Sequence, residues 1–214
     1  MRPTRRSPVR FAAMPARVEE RDGWDVVRSF DDEGDGPWLV DLSHRARWDY
    51  QDRRVSEHRP AGLEVPARPG EVGVARGLMI NRMNRTQVAI WHVGPGPAPG
   101  LPDNEANAVA FTETTDSHCW LAIIGAAASA VTERVTSLDL FAPGRRPPFL
   151  TQGPVLQTPC QIVTAGRDGV LIALARGYGQ TFADALLHAG RERGLAPAGE
   201  ERFTRWVAGL ATEP

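Results

Sequence analysis

The sequence contains no lysine, and all 25 of its basic residues are arginines. Without an ε-amino group the chain cannot form a Schiff base or supply the lysine of a phosphate-binding P-loop. Cysteine is also scarce. Cys119 and Cys160 each lie in an apolar run, which indicates reduced thiols in a cytoplasmic protein rather than a secreted disulfide framework. A disulfide between the two cysteines is the alternative if their strands are neighbours.

An excess of one charge and long apolar runs are lacking too. The formal net charge is −1, so no overall field attracts nucleic acid or an anionic membrane. No apolar stretch approaches the roughly 20 residues of a membrane span. The arginine-bearing start also lacks the apolar core of a signal peptide. We therefore expect a cytoplasmic protein that has neither nucleic acid nor membrane as a partner.

The spacings typical of metal and dinucleotide sites are missing as well. The five histidines form no HxxxH or HExxH pattern and the two cysteines form no CxxC pattern, so we expect no metal site. The glycines of GPGPAPG do not make a GxGxxG turn between a strand and a helix, as a Rossmann fingerprint requires. Metal binding and dinucleotide binding are therefore disfavoured.

The composition is that of a folded globular protein, with 42% hydrophobic and 24% charged residues. Residues 1–15 carry four arginines and three prolines without an acidic residue, which predicts a flexible or extended arm. The arm either stays solvated or lies along a partner subunit, where Phe11 and Met14 would be buried. We expect residues 16–214 to form one domain.

Upstream of residue 94 the pattern predicts strands. Asp22-Gly23 marks the turn of a hairpin over residues 16–30. A strand starts at Trp38, and its alternation continues to Tyr50. A further strand covers Gln87 to Val93, after a Pro- and Gly-rich surface connection over residues 60–73.

The chain is organised around Phe111 to Arg193, where short apolar runs alternate with helical spacing. The predicted order is strand, helix, strand, strand, helix, followed by a last amphipathic helix. The pattern favours a ferredoxin-like α+β layer, with helices on one face of a sheet. The predicted elements are a strand over Cys119–Ile124, a helix from Gly125 with its apolar stripe reaching Leu138, an irregular crossing, a hairpin of Cys160–Thr164 and Val170–Ala175, and helices over Thr181–Gly190 and Glu200–Leu210.

Two segments carry reactive residue types. In DSHCW, His118 and Cys119 are neighbours in a strand and point to opposite faces, so we interpret them as packing residues rather than a catalytic pair. In ARGYGQTF, Arg176 and Tyr178 leave a strand beside a glycine turn. They could offer a guanidinium and a stacking ring to a planar anion. A plain bend with a surface tyrosine explains the same pattern equally well.

The order of DLSH, a strand with Asn-Arg, a helix ending in SLDL, GVLIALARGYGQTF, and GLAPAGEERFTRWVAGL resembles the folate-binding part of the glycine cleavage T-protein superfamily. This superfamily includes aminomethyltransferases and the gamma subunits of heterotetrameric sarcosine oxidases. The resemblance covers about Trp38 to Leu210. It implies an α+β clover-leaf that has a ferredoxin-like subdomain, with helices packed on mixed and antiparallel sheets.

The resemblance also implies a site. Tyr178 and Arg205 fall nearest to folate contacts, and Arg176, Asn84 and Asp116 would complete a tetrahydrofolate site. The pattern departs from the enzymes at three carboxylates: the stretch from residue 81 to 93 has no acidic residue, ARGYGQT lacks the glutamate of the family's RTGYTGE, and the acidic residue of the final helix is replaced by valine.

The departures favour a gamma-subunit-like accessory chain over an enzyme. We expect a non-catalytic subunit of a larger oxidoreductase acting on N-methyl amines or one-carbon units, with a flavoprotein or other subunits as partners and no firmly bound cofactor. A stand-alone tetrahydrofolate-dependent aminomethyltransferase is the alternative. A fold reused for an unrelated ligand is a third.

Overall fold

The computed structural model describes residues 4–100 and 110–210. These residues form an α+β structure with a two-stranded hairpin, a six-stranded sheet and a five-stranded sheet. The strands are β1 (Pro15–Arg21), β2 (Trp24–Phe30), β3 (Trp38–Asp41), β4 (Arg47–Gln51), β5 (Val72–Ala75), β6 (Leu78–Arg82), β7 (Gln87–His92), β8 (Phe111–Glu113), β9 (His118–Ile124), β10 (Phe149–Val155), β11 (Thr158–Gly166), β12 (Gly169–Ala175) and β13 (Ala196–Ala198). The α-helices are α1 (Ala128–Thr132), α2 (Gly179–Gly190) and α3 (Glu200–Leu210).

The six-stranded sheet has the order β10-β11-β12-β9-β3-β13, and its pairs are antiparallel except for β13 with β3. The uninterrupted apolar sequence of β9 follows from its place in the middle, because both of its faces are covered. Cys119 and Leu121 face one core, whereas Trp120 and Ala122 face the other.

The helices lie on both faces of this sheet, not on one face as the sequence pattern predicts. Ala128 of α1 and Phe182 of α2 pack in the core on the Cys119 side. Phe203 of α3 packs on the Trp120 side, together with the five-stranded sheet. The periodicity of each helix indicates that it has an apolar side, but it does not indicate which face of a sheet covers that side.

The five-stranded sheet has the order β5-β6-β7-β4-β8. The prediction of one strand from Trp38 to Tyr50 is wrong, since β3 and β4 belong to different sheets. Ser43 marks the break, where its backbone N–H and its hydroxyl both donate to the Asp41 carboxylate at 2.9 and 2.6 Å. Such a local turn interrupts a strand without disturbing the alternation on either side of it.

Other boundaries also differ from the predictions. The helix after Gly125 ends at Thr132, although Val135 and Leu138 beyond it still contact the core. The predicted irregular crossing contains β10, which pairs with β11 over its whole length. The hairpin of β1 and β2, the helix ending at Gly190 and the helix Glu200–Leu210 are confirmed. No helix in the described part of the chain is long and apolar enough to cross a membrane.

The described part of the N-terminal arm, residues 4–14, runs along the domain itself. Val9 is buried in the core beside Cys119, and Phe11 packs edge-on against Phe30 with the ring centroids 5.9 Å apart. The Ser7 hydroxyl donates to Asp41, while Met14 is exposed. The arm therefore covers the edge of the domain at DLSH; residues 1–3 lie outside the described part.

Candidate functional site

The most densely bonded polar group is the carboxylate of Glu200, the first residue of α3, which is 1% exposed. Oε1 accepts from His44 Nε2 at 2.9 Å, from Arg45 at 2.8 Å and from Arg21 at 3.0 Å. Oε2 accepts from Arg28 at 2.8 Å and again from Arg21 at 3.0 Å. We call Arg21, Arg28, Arg45, His44 and Glu200 the arginine cluster.

These contacts fix the ionisation of the carboxylate. Burial by itself raises the pKa of Glu200, but hydrogen bonds from His44 and Arg21 and the charge of Arg45 outweigh it and hold the pKa well below its usual range. Burial lowers the pKa of Arg45, and the nearby Glu200 charge opposes this effect. Glu200 is therefore ionised at neutral pH, and its carboxylate has no lone pair free to act as a general base.

The arginine cluster joins two motifs that are far apart in sequence. His44 completes DLSH, Arg45 follows it, and Glu200 directly follows GLAPAG. The local pattern places His44 in a predicted strand and Glu200 at the start of a predicted helix, and it predicts neither role in the cluster. The available signal was a glutamate at a helix N-terminus next to an apolar segment, because such a buried acid requires a cationic partner.

Next to the cluster lies a cavity of about 440 Å³. Cationic and aromatic side chains from the arm, the first hairpin and the five-stranded sheet line this cavity. Two buried donors on its wall, Trp24 Nε1 and Arg45 Nε, have no hydrogen-bond partner among the described residues. The lining includes Arg5, Arg21, Asp22, Trp24, His44, Arg45, Trp48, His92, Glu113 and Thr115. The cavity offers stacking and anion-binding groups together.

His92, on the cavity wall, is 4% exposed. Burial and the neighbouring Arg45 guanidinium lower the pKa of its imidazole to about 4. Between pH 6.5 and 4 the unfolded chain therefore binds a proton that the folded chain does not. We expect the free energy of unfolding to fall as the pH decreases through this window, and His92 to account for about 2 kcal/mol of that loss.

Urea unfolding of the wild type and of His92→Gln at several pH values measures this contribution. The variant should lose less stability than the wild type between pH 7 and 4.5. The same substitution at His188, on the exposed side of α2, is the matched control. Parallel pH profiles for the wild type and His92→Gln would contradict the assignment.

A second polar group lies between the two larger sheets. Arg47 in β4 is 1% exposed, and its Cζ lies 4.8 Å from the ring centroid of Trp91 and 6.0 Å from that of Trp120. Its Nη2 donates to Gln161 at 2.9 Å, but Nε and Nη1 have no partner within the described part of the chain. Burial lowers the pKa of Arg47 to about 10, so it remains charged at pH 7.

The register places Asp49 and Asn81 on the same face, on the two strands that flank β7, because both pair with Ala89. Asn81 Nδ2 donates to the Ala89 carbonyl at 3.1 Å, and burial raises the pKa of Asp49. Asn81 Oδ1 and Asp49 Oδ1 have no partner among the residues described. We call Arg47, Asp49 and Asn81 the polar seam. Residues 81–93 lack an acid, but β4 supplies one beside them.

The structure brings two of the predicted site residues near the cavity. Asp116 forms an ion pair with Arg5 at 3.2 Å, and the Cζ of Arg5 lies 5.9 Å from the Trp24 ring. The Cζ of Arg176 lies 5.7 Å from the same ring, and Arg176 also donates to the carbonyl of Arg6. Arg176 and Asp116 thus both contact the N-terminal arm, near the ring of Trp24.

The other three predicted residues lie on separate elements. Tyr178 is 59% exposed at the start of α2. Asn84 belongs to the turn between β6 and β7, where it bonds to Thr86 and Gln87. Arg205 is exposed on α3 and donates to the carbonyl of Glu201 at 3.3 Å. None of the three lines the cavity, and a role for them in ligand binding stays a prediction.

The structure of DSHCW agrees with the interpretation of His118 and Cys119 as packing residues of a strand. Cys119 is fully buried, and burial raises the pKa of its thiol to about 12. Burial lowers the pKa of His118 to about 4. A thiol that stays protonated beside a neutral imidazole on the opposite face is not an activated nucleophile. Cys119 and Cys160 are both free thiols.

Solved structures have the same fold. The chain matches heterotetrameric sarcosine oxidase from Corynebacterium sp. U-96, determined with pyrrole 2-carboxylate, at a TM-score of 0.63 and 16% identity, over 72% of this chain and 83% of the other. It matches glycine cleavage system aminomethyltransferase T from Bartonella henselae at a TM-score of 0.61 and 17% identity, over 88% of this chain. The match spans 57% of the aminomethyltransferase.

No protein-family model matches the sequence, and no curated protein matches it. The similarity is therefore one of fold. The chain has the T-protein-like α+β fold that its motifs indicate, with mixed and antiparallel sheets.

Proposed function

We propose that this chain is an accessory subunit of a heteromeric cytoplasmic oxidoreductase that acts on N-methyl amines or one-carbon units, with a flavoprotein as its partner. The arginine cluster carries the proposal. Glu200, the carboxylate where the family-like motifs meet, is held by three arginines and a histidine of the same chain. A group engaged in this way stabilises the junction of the domain and is not available to bind an amine.

Two other features support this role. The match extends over most of the similar sarcosine oxidase chain but only a little over half of the aminomethyltransferase. The arm also occupies the edge of the domain at DLSH, where Ser7 and Val9 contact Asp41 and the core. A domain edge that is covered by the chain's own N-terminal arm suits a subunit whose function is assembly.

Affinity purification from the native source, at native expression level, tests the proposal. We expect a flavoprotein to co-purify in a fixed ratio, with flavin absorbance near the position of the complex in size-exclusion chromatography. The isolated chain should show no heat of binding with tetrahydrofolate in calorimetric titration. A chain that purifies alone and binds tetrahydrofolate at micromolar concentration would overturn the accessory role.

A stand-alone tetrahydrofolate-dependent enzyme is the second candidate, and Asp49 favours it. Its carboxyl has a raised pKa and an Oδ1 that has no partner among the described residues, and such a group can accept a proton. If this function holds, Asp49→Asn should abolish tetrahydrofolate binding or transfer while leaving unfolding cooperative. Under the accessory function the same variant should leave assembly with the flavoprotein intact.

A further inference from the structure

A groove of about 1150 Å³ lies on the side of the molecule formed by α3. The ends of β7 and β11 and the turn between β5 and β6 form its walls with the loop that precedes β10. The arginine cluster and the polar seam lie outside it, since none of their residues lines the groove. It is therefore a separate surface from the candidate site.

The floor of the groove is apolar. Val74 on its wall is 55% exposed, although it belongs to a strand of the five-stranded sheet. An exposed valine next to a concave apolar floor is a feature of surfaces that another chain covers. The apolar lining residues are Val74, Met79, Val93, Pro95, Phe141, Pro143, Pro147, Pro148, Phe149, Val207 and Leu210.

The charges that line the groove are all positive. Arg145, Arg146 and Arg167 contribute to the lining, and no acidic residue does. Arg145 is stacked on Phe149, with its Cζ 3.8 Å from the ring centroid, and donates to Thr151. Arg146 and Arg167 are exposed and form no hydrogen bond or ion pair with another residue in 4–100 or 110–210. As far as the described residues are concerned, both guanidinium groups are available to carboxylates.

We propose that this groove binds a segment of the partner subunit that carries apolar side chains flanked by carboxylates. The charge complementarity identifies the chemistry of the occupant, since two unpaired guanidinium groups beside an apolar floor select an acidic and apolar chain. The volume favours a peptide, because small-molecule sites occupy about 300–1,000 Å³. The inference rests on the proposed accessory function and names the surface that performs it.

Photo-crosslinking in cells locates the occupant. The full chain carries p-benzoylphenylalanine in place of Val74, which is exposed in the groove. We expect a crosslink to one segment of the co-purifying flavoprotein, with at least two carboxylates within a few residues of the attachment point. A crosslink to the chain's own residues, or to another copy, would overturn the inference, as would no crosslink at all.

Charge reversal measures the contribution of the two free arginines. In the complex, Arg146→Glu with Arg167→Glu should weaken assembly at least tenfold at 100 mM salt, whereas Arg53→Glu with Arg85→Glu should not. The control pair is also exposed and lies outside the groove. Since both changes are at the surface, unfolding transitions should match the wild type.

The two failures are distinguishable. If the flavoprotein complex forms and the groove variant assembles as tightly as the control, the groove inference is wrong and the accessory function stands. If no flavoprotein is bound at all, the accessory function is wrong, and the assignment of the groove to its partner subunit fails with it.

Discussion

Replacing Glu200 with glutamine should lower the free energy of unfolding by about 3–5 kcal/mol, because it leaves buried guanidinium groups without their counter-charge. The Arg45 side chain is 3% exposed and depends on this carboxylate for its only ion pair among the described residues. Glutamine keeps the shape of the side chain but offers an amide where both oxygens now accept hydrogen bonds. The loss is therefore electrostatic, with little change in packing.

Urea unfolding at pH 7 measures the effect, and Glu201→Gln is its control. Glu201 is the next residue on α3, and its carboxylate lies 2.5 Å from Arg17 and 3.7 Å from Arg28 at a more exposed position. A surface ion pair of this kind contributes less than about 1 kcal/mol. If both variants lose similar stability, the arginine cluster does not stabilise the domain in the way described.

Replacing Arg47 with methionine should have the opposite sign and raise the free energy of unfolding by about 1–4 kcal/mol. Buried charges that lack full hydrogen bonding are often less stable than apolar side chains of similar volume. Arg47 is that case, since two of its guanidinium nitrogens have no partner in the described structure. Methionine would fill the space between Trp91 and Trp120 with a flexible apolar chain.

The matched control is Arg45→Met. Arg45 is buried to a similar degree, but it donates to Glu200 and to the Gly94 carbonyl, so its loss should destabilise the protein. The comparison separates an arginine that is paired within the chain from one that is not. Stability gained at both positions, or lost at both, would contradict the assignment. A stable Arg47→Met variant that no longer assembles or binds a ligand would show what the unpaired nitrogens contact.

Asp49, the acid of the polar seam, shows what the sequence of a single strand does not reveal about the strands that pair with it. The stretch from residue 81 to 93 contains no carboxylate, and the sequence departs there from the pattern of the enzymes that it resembles. The register sets Asp49 on one side of Ala89 and Asn81 on the other, with both on the same face of the sheet. Strand pairing sets which side chains share a face, and the alternation within one strand does not specify its neighbour.

Elements with local patterns can be predicted from the amino-acid sequence. The apolar run of β9 indicates a strand buried on both faces, Asp22-Gly23 indicates a hairpin turn, and the spacing from Glu200 to Leu210 indicates a helix. The motif order also indicated the T-protein-like fold. The three elements follow from backbone geometry and burial within a few consecutive residues, whereas the fold is what the family resemblance implies.

The positions at which the charged groups meet depend on the packing of distant segments. His44 and Glu200 are 156 residues apart in the chain and 2.9 Å apart in space. Their contact depends on how α3, the first hairpin and the turn after β3 pack together. The periodicity of each element does not specify this packing, because many arrangements of the elements bury the same apolar sides. The observed arrangement is the one that brings the buried carboxylate of Glu200 into contact with its cationic partners.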